Sequence, residues 1–231
     1  MDNNQIIKVN DLIKDYKMGN SFFRALNKIN TSIKKGEFTG LVGPSGSGKT
    51  TLLNILGALD NPTSGDATVL GKSISNLSHK DASKLRNSSI GFIFQTYNLL
   101  PVYTVFENVE FPLLLLKKEK EEREEMVMKA LNWVGLTNKV KSRPSQLSGG
   151  ESQRVAVARA MVKMPQIVLA DEPTANLDAE NSHNILKMMQ KLNEELKTTF
   201  IFATHDEKVI SYLHRKIVLN DGKIINDLIL N

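Results

Sequence analysis

Gly43-Pro44-Ser45-Gly46-Ser47-Gly48-Lys49-Thr50 fits the pattern G-x-x-x-x-G-K-[ST], whose chemistry is the binding of phosphate. Glycines let successive backbone N–H groups point inward at phosphate oxygens, and a helix starting where the loop ends adds its positive pole. Lys49 supplies a point charge for the β and γ phosphates of a nucleotide. Thr50 offers its hydroxyl to magnesium, a hard cation that takes oxygen ligands, and Thr51 extends the same helix start. A Gly/Ser-rich loop that merely caps a helix is the plainer reading of these residues. Position favours phosphate, because an apolar strand-like run, Phe38 to Val42, precedes the loop and a helical run, Lys49 to Ala58, follows it.

A second part of such a site is a carboxylate delivered by a neighbouring strand, and the apolar run Ile167 to Ala170 ends in Asp171-Glu172. Asp171 is placed to hold the magnesium shell and Glu172 to polarise an attacking water; on their own they are also just two solvated acids at a strand end. Leu147-Ser148-Gly149-Gly150-Glu151 then opens a helix that runs on through Gln153 and Arg154. Ser-Gly-Gly at a helix start is a second anion site. A rigid helix and strand separate it from the chain's own phosphate loop, so this half-site calls for a second molecule.

Positioning these parts requires an α/β protein. The strand runs Phe38 to Val42, Ile90 to Phe94, Ile167 to Ala170 and Thr199 to Ala203 lack polar alternation, as strands covered on both faces do. Between them, Lys49 to Ala58, Ser148 to Met164 and Ala179 to Lys197 have helical length with few breakers. Residues from about 78 to 145 are charged and helix-rich, with Met126, Ala130, Leu131 and Val134 on one face ending at Gly135, and are expected as a helical subdomain inserted in the core. The stretch up to Gly36 and the segment Thr68 to Ile74 are expected as strands of a smaller antiparallel sheet. A last hairpin turns at Asn220-Asp221-Gly222.

Composition narrows the chemistry. The 231 residues contain no Cys, which excludes a thiol nucleophile, a disulfide or a Cys-held zinc. The start of the chain lacks a basic stretch followed by an apolar one, so no secretory signal is expected. The apolar run Phe111 to Leu116 is far shorter than the roughly 18–20 residues of a membrane span. A net charge of +5 suits a polyanion or an anionic membrane surface, yet the basic residues are scattered and the densest cluster, Lys117 to Glu125, mixes both signs.

With the loop, the acidic strand and LSGGE together, the sequence resembles the ATP-binding cassette (ABC) family, whose LSGGQ signature stands shortly before the acidic strand. Here Ser148 precedes Asp171 by 23 positions. The resemblance implies a P-loop NTPase fold with a RecA-like core, one domain over 1–231, and ATPase activity with ATP and Mg2+. It implies roles for further residues: Gln95 as the glutamine loop that senses magnesium, His205 as the switch histidine on the γ phosphate, and Tyr16 as the ring stacked on adenine. Asp178, in Asn176-Leu177-Asp178, would reach across a head-to-tail pair in which Ser148, Gly149 and Gly150 close on the other copy's nucleotide. Glu151 departs from the signature's Gln, and altered electrostatics between copies are expected from it. His79, His183 and His214 are given no role. The stretches Asn54 to Asp60, Ile90 to Pro101 and Glu107 to Val109 are similar to cassettes of the macrolide-exporter and lipoprotein-release type, a set that includes the bacterial cell-division cassette. That implies a second cassette copy and an integral membrane permease subunit as partners, at the cytoplasmic face of the membrane. A soluble cassette acting on nucleic acid or ribosomes is the alternative; lacking a zinc-bearing or coiled-coil insertion and a second cassette, the chain is expected to have no nucleic-acid partner.

Overall fold

The computed structural model describes residues 4–230; residues 1–3 and 231, the ends of the expected 1–231 domain, lie outside the described residues. Two long strands, β1 (Gln5–Met18) and β2 (Ser21–Lys34), lead into β3 (Phe38–Val42), α1 (Lys49–Leu56), β4 (Ser64–Val69) and β5 (Lys72–Ser73). Then come α2 (His79–Ser89), β6 (Ile90–Ile93), α3 (Val105–Leu115), α4 (Lys120–Trp133) and α5 (Gly149–Met161). The chain finishes with β7 (Ile167–Asp171), α6 (Ala179–Leu196), β8 (Thr199–Thr204), α7 (Glu207–Ile210), β9 (Arg215–Asn220) and β10 (Lys223–Ile229).

Six strands form one sheet in the order β10-β9-β3-β8-β7-β6, parallel from β9 to β6, with β10 antiparallel at the edge. The smaller sheet, β2-β1-β4-β5, is antiparallel throughout. Because side chains alternate across a strand, the continuous apolar runs feed two separate cores. Phe38, Val168, Ala170, Phe200 and Phe202 face one cluster with α3 to α6, whereas Leu41, Ile167, Leu169, Ile201 and Ala203 face the other with α1 and the smaller sheet. Phe38 and Phe202 pack tilted, with ring centroids 4.7 Å apart. Truncating such a ring leaves a cavity in a close-packed layer, so Phe202→Ala is expected to cost about 3–5 kcal/mol in urea unfolding.

The described structure corrects three boundaries. The span expected as a helical insert, about 78 to 145, contains β6, whose residues Ile90 and Ile93 are fully buried in the large sheet; α2 packs on that strand, and the helices set apart from the sheet begin at α3. Thr68 to Ile74 is not continuous strand: Leu70 and Gly71 take positive φ (49° and 76°) and turn β4 back as β5. Helices α1, α5 and α6 stop short of the expected Ala58, Met164 and Lys197, because those three residues have φ of 51–53° and leave the helix. The expected final hairpin is present, with Asp221 and Gly222 at φ 45° and 69°.

Candidate functional site

The loop Gly43 to Gly48 joins β3 to α1 at the C-terminal edge of the parallel strands, where open α/β sheets take ligands. Gly48 is the N-cap of α1 at φ 100°, and a Cβ there would lie 2.6 Å from the Ala25 carbonyl oxygen. Gly43 is equally committed, since a Cβ would run into the Leu219 carbonyl. The Lys49 ammonium donates to the carbonyls of Gly43 (2.7 Å) and Pro44 (2.8 Å), which holds the side chain along the loop. The Ser47 hydroxyl is buried with no hydrogen-bond partner among the described residues. A loop with an unsatisfied hydroxyl, a helix N-terminus and a lysine fits an oxyanion.

Opposite the loop, Thr50 Oγ1 donates to Asp171 Oδ1 at 3.1 Å, joining the start of α1 to the end of β7. Burial raises the Asp171 pKa, a shift that the Glu172 charge adds to and the Thr50 bond and Lys49 charge oppose. Burial also lowers the Lys49 pKa, against the pull of Glu172 and Asp171. Both shifts mark charges whose burial outweighs the partners around them. Phosphate on Lys49 and a divalent cation on Asp171 would relieve them together, and oxygen donors of this kind suit magnesium. Because the folded pKa of Asp171 is raised, its ionised form weakens the ligand-free fold as pH rises through that value. Asp171→Asn is therefore expected to raise the melting temperature without ligand at pH 7, with the gain vanishing below the ordinary carboxylate range.

Glu172 has φ 44°, and its N–H donates to the Ala203 carbonyl at 2.9 Å, so the residue after β7 is fixed against the end of β8. Its carboxylate takes a bond from Thr204 Oγ1 (2.9 Å) on one oxygen and meets His205 Nδ1 (2.6 Å) on the other. Two strand ends thus aim one carboxylate into the cleft.

That cleft, about 370 Å³, is lined by the sequence-predicted Tyr16, Ser45, Gly46, Gly48, Lys49, Thr50, Thr51, Gln95, Asp171, Glu172 and His205. Gly43, Pro44 and Ser47 form the back of the loop. The Gln95 carbonyl accepts from Asn176 Nδ2 at 2.9 Å, anchoring that loop to the segment before Asp178. Ser148, Gly149, Gly150 and Asp178 are not in the cleft wall. They sit at the N-termini of α5 and α6, where Ser148 and Asp178 are N-caps.

Sequence reasoning missed two features. Phe23, 49% exposed, stands opposite Tyr16 on β2 and lines the cleft; pairing outward from Met18↔Ser21 gives Tyr16↔Phe23, a register readable from the Gly19-Asn20 turn. Glu151 is no loose charge either. With Ser148 it completes a capping box, Glu151 N to Ser148 Oγ at 3.1 Å and Ser148 N to Glu151 Oε2 at 2.9 Å, and it pairs with Lys139 at 3.1 Å. The Ser148 N–H, then Lys139, hold the Glu151 carboxyl below its ordinary pKa. The S-x-x-E spacing was the available signal.

Comparison with known proteins agrees with this geometry. A family model described as ABC transporter matches residues 26–175. The lipoprotein-releasing system ATP-binding protein LolD of Buchnera aphidicola is 43% identical over 224 residues, 97% of this chain and 98% of LolD. Two dimeric structures of the bacterial ABC cassette MJ0796, one in a post-hydrolysis state bound to ADP and Pi, superpose with TM-scores of 0.90 at 41% identity, over 97% of this chain and 99% of theirs. CbiO1 of Clostridium perfringens, part of an ABC transporter complex, follows at TM-score 0.87 and 33% identity, over 97% and 88%. Fold and relatives agree, and the chain belongs to the ABC transporter family as an ATP-binding cassette.

Proposed function

We propose that this chain is the ATP-hydrolysing subunit of an ABC transporter, closing head to tail on a second copy around ATP and driving a separate membrane subunit. The observation that carries the reading is the separation of the two halves of the site within one chain: the phosphate loop and acids line the cleft, while Ser148 at the start of α5 does not. A second copy turned about a two-fold axis completes both sites at once.

In that arrangement the loop N–H groups and Lys49 bind the phosphates, and Tyr16 carries the base. Thr50, Asp171 and Gln95 are the residues that would hold magnesium. The ion supplies charge neutralisation on the phosphate oxygens. Glu172 accepts the proton of the attacking water, held in line by Thr204 and His205, and His205 contacts the γ phosphate. From the other copy, Ser148, Gly149 and Gly150 close on that phosphate, and Asp178 reaches across the joint.

The membrane partner is assigned to the groove of about 380 Å³ lined by Phe92, Phe94, Leu100, Phe111 and Pro112, with Lys163 at its edge. Asn108, fully buried, bonds Leu100 N and the carbonyls of Leu100, Tyr103 and Thr104, so the rim of this groove is fixed. An apolar groove, in whose wall the Lys163 amine already donates to the Arg86 carbonyl at 2.7 Å, suits a short helix with an apolar face. Among the described residues no helix is long and apolar enough to cross a membrane, and the reading places the chain at the cytoplasmic face through that partner. Similarity to LolD makes lipoprotein release the favoured work.

Mixed dimers test the two-copy site. Lys49→Ala and Ser148→Arg chains are each expected to be inactive alone, whereas an equal mixture regains roughly a quarter of wild-type turnover, because each mixed dimer keeps one intact site. No recovery on mixing would refute the shared site.

A further inference from the structure

The ring that carries the base must be held at a fixed distance from the phosphate loop, and the β1–β2 ladder fixes only the backbone that bears it. The register of β1 shifts between Leu12 and Lys14 and again between Lys14 and Asp15, immediately before Tyr16. From Asp15 to Met18 the pairing with β2 is regular again, so the ladder fixes the backbone at Tyr16 and leaves the placement of its ring to side-chain contacts.

Asp60 supplies the missing constraint. One of its carboxylate oxygens accepts from the Tyr16 hydroxyl at 2.9 Å. The other accepts from Lys14 Nζ at 2.5 Å and from the Asn61 N–H at 2.7 Å. Lys14 Nζ also donates to the Asn61 carbonyl at 2.7 Å and lies 4.9 Å over the Tyr16 ring, while Lys14 itself is not in the cleft wall. The ring is thus held at its hydroxyl by a carboxylate and over one face by an ammonium, which leaves its cleft surface for a base.

Asp60 is itself fixed. It follows the C-terminal end of α1, where Leu59 N donates to the Asn54 carbonyl at 2.8 Å and Arg86 donates to the Ala58 carbonyl at 2.6 Å. The same helix begins at Lys49, Thr50 and Thr51 on the phosphate side. The Tyr16 hydroxyl also meets the Thr51 side chain, so the ring is tied to both ends of this helix.

We propose that Asp60, with Lys14, is a positioning residue for nucleotide recognition: it ties the base-stacking ring of β1 to the far end of the phosphate-loop helix. This rests on the reading of Tyr16 as the base platform. None of the chemistry of hydrolysis is assigned to Asp60, and its effect is on the base half of the ligand alone.

Calorimetry of the full chain with ATP and with inorganic tripolyphosphate, each with magnesium, separates the alternatives. Tyr16→Ala is expected to weaken ATP about tenfold and leave tripolyphosphate unchanged. Tyr16→Phe and Asp60→Ala should each weaken ATP about three- to fivefold, again without effect on tripolyphosphate, and the double variant should be no weaker than either single one. If Tyr16→Ala binds both ligands as wild type does, the stacking reading itself falls. If Tyr16→Ala discriminates but Tyr16→Phe binds ATP normally, stacking stands and the anchor is overturned. Equal weakening of both ligands by Asp60→Ala would also overturn it, by showing a general structural role.

Discussion

Replacing Glu172 with Gln is expected to cut ATP turnover by about 10²–10⁴-fold while the protein accumulates as a dimer whenever ATP is present. Gln has the shape of Glu and keeps an acceptor for the Thr204 hydroxyl, so the strand ends that aim the side chain are undisturbed. What is lost is the ability to take a proton from water. Closure, which needs only bound nucleotide and the two copies, is left intact, and reopening, which needs hydrolysis, is blocked. Phosphate release and size-exclusion chromatography with ATP check the two halves of this expectation. A variant that stays monomeric with ATP would count against the head-to-tail pair, and one that keeps wild-type turnover would remove Glu172 from the chemistry.

Lys49→Ala acts one step earlier. Lys49 is only 7% exposed and two of its ammonium hydrogens are spent on loop carbonyls, so its remaining charge is directed rather than diffuse. Losing charge-assisted bonds to phosphate should weaken ATP roughly 10–100-fold and abolish both turnover and ATP-driven pairing. Lys49→Arg should not restore them, because a planar fork neither fits the space nor reproduces the bonds to Gly43 and Pro44. Titration of a fluorescent nucleotide measures the affinity, and unchanged binding by Lys49→Ala would sink the assignment of the loop.

Much of this was legible in the chain because apolar runs and glycine spacing are local signals. The strands at Phe38, Ile90, Ile167 and Thr199 and the loop at Gly43 needed no tertiary information. Helix ends at Ala58, Met164 and Lys197 were not legible, since an ordinary residue entering positive φ leaves little mark in sequence. The insert boundary was not legible for a different reason: the run at Ile90 reads as a strand, but that it pairs with β7 in the large sheet, with α2 packed on it, is tertiary information. Among site residues, Lys49, Asp171 and Glu172 announce themselves by type and spacing. Asp60 does not, because its role depends on a carboxylate meeting Tyr16 across 44 positions of sequence, and Phe23 follows only once the hairpin register is counted back from the Gly19-Asn20 turn.

Helix α5 carries more than Ser148. Buried Gln153 donates to the Pro173 carbonyl at 2.5 Å, beside Glu172, and Arg159 donates to the carbonyls of Tyr97 (2.6 Å) and Asn98 (2.5 Å), two successive residues at positive φ beyond Gln95. Ser148, the segment beside Glu172 and the loop beyond Gln95 are thus joined through one helix. On the proposed reading the working motion then lies in the joint between two copies, and solvent viscosity is expected to slow turnover through that joint and not through the loops around each nucleotide.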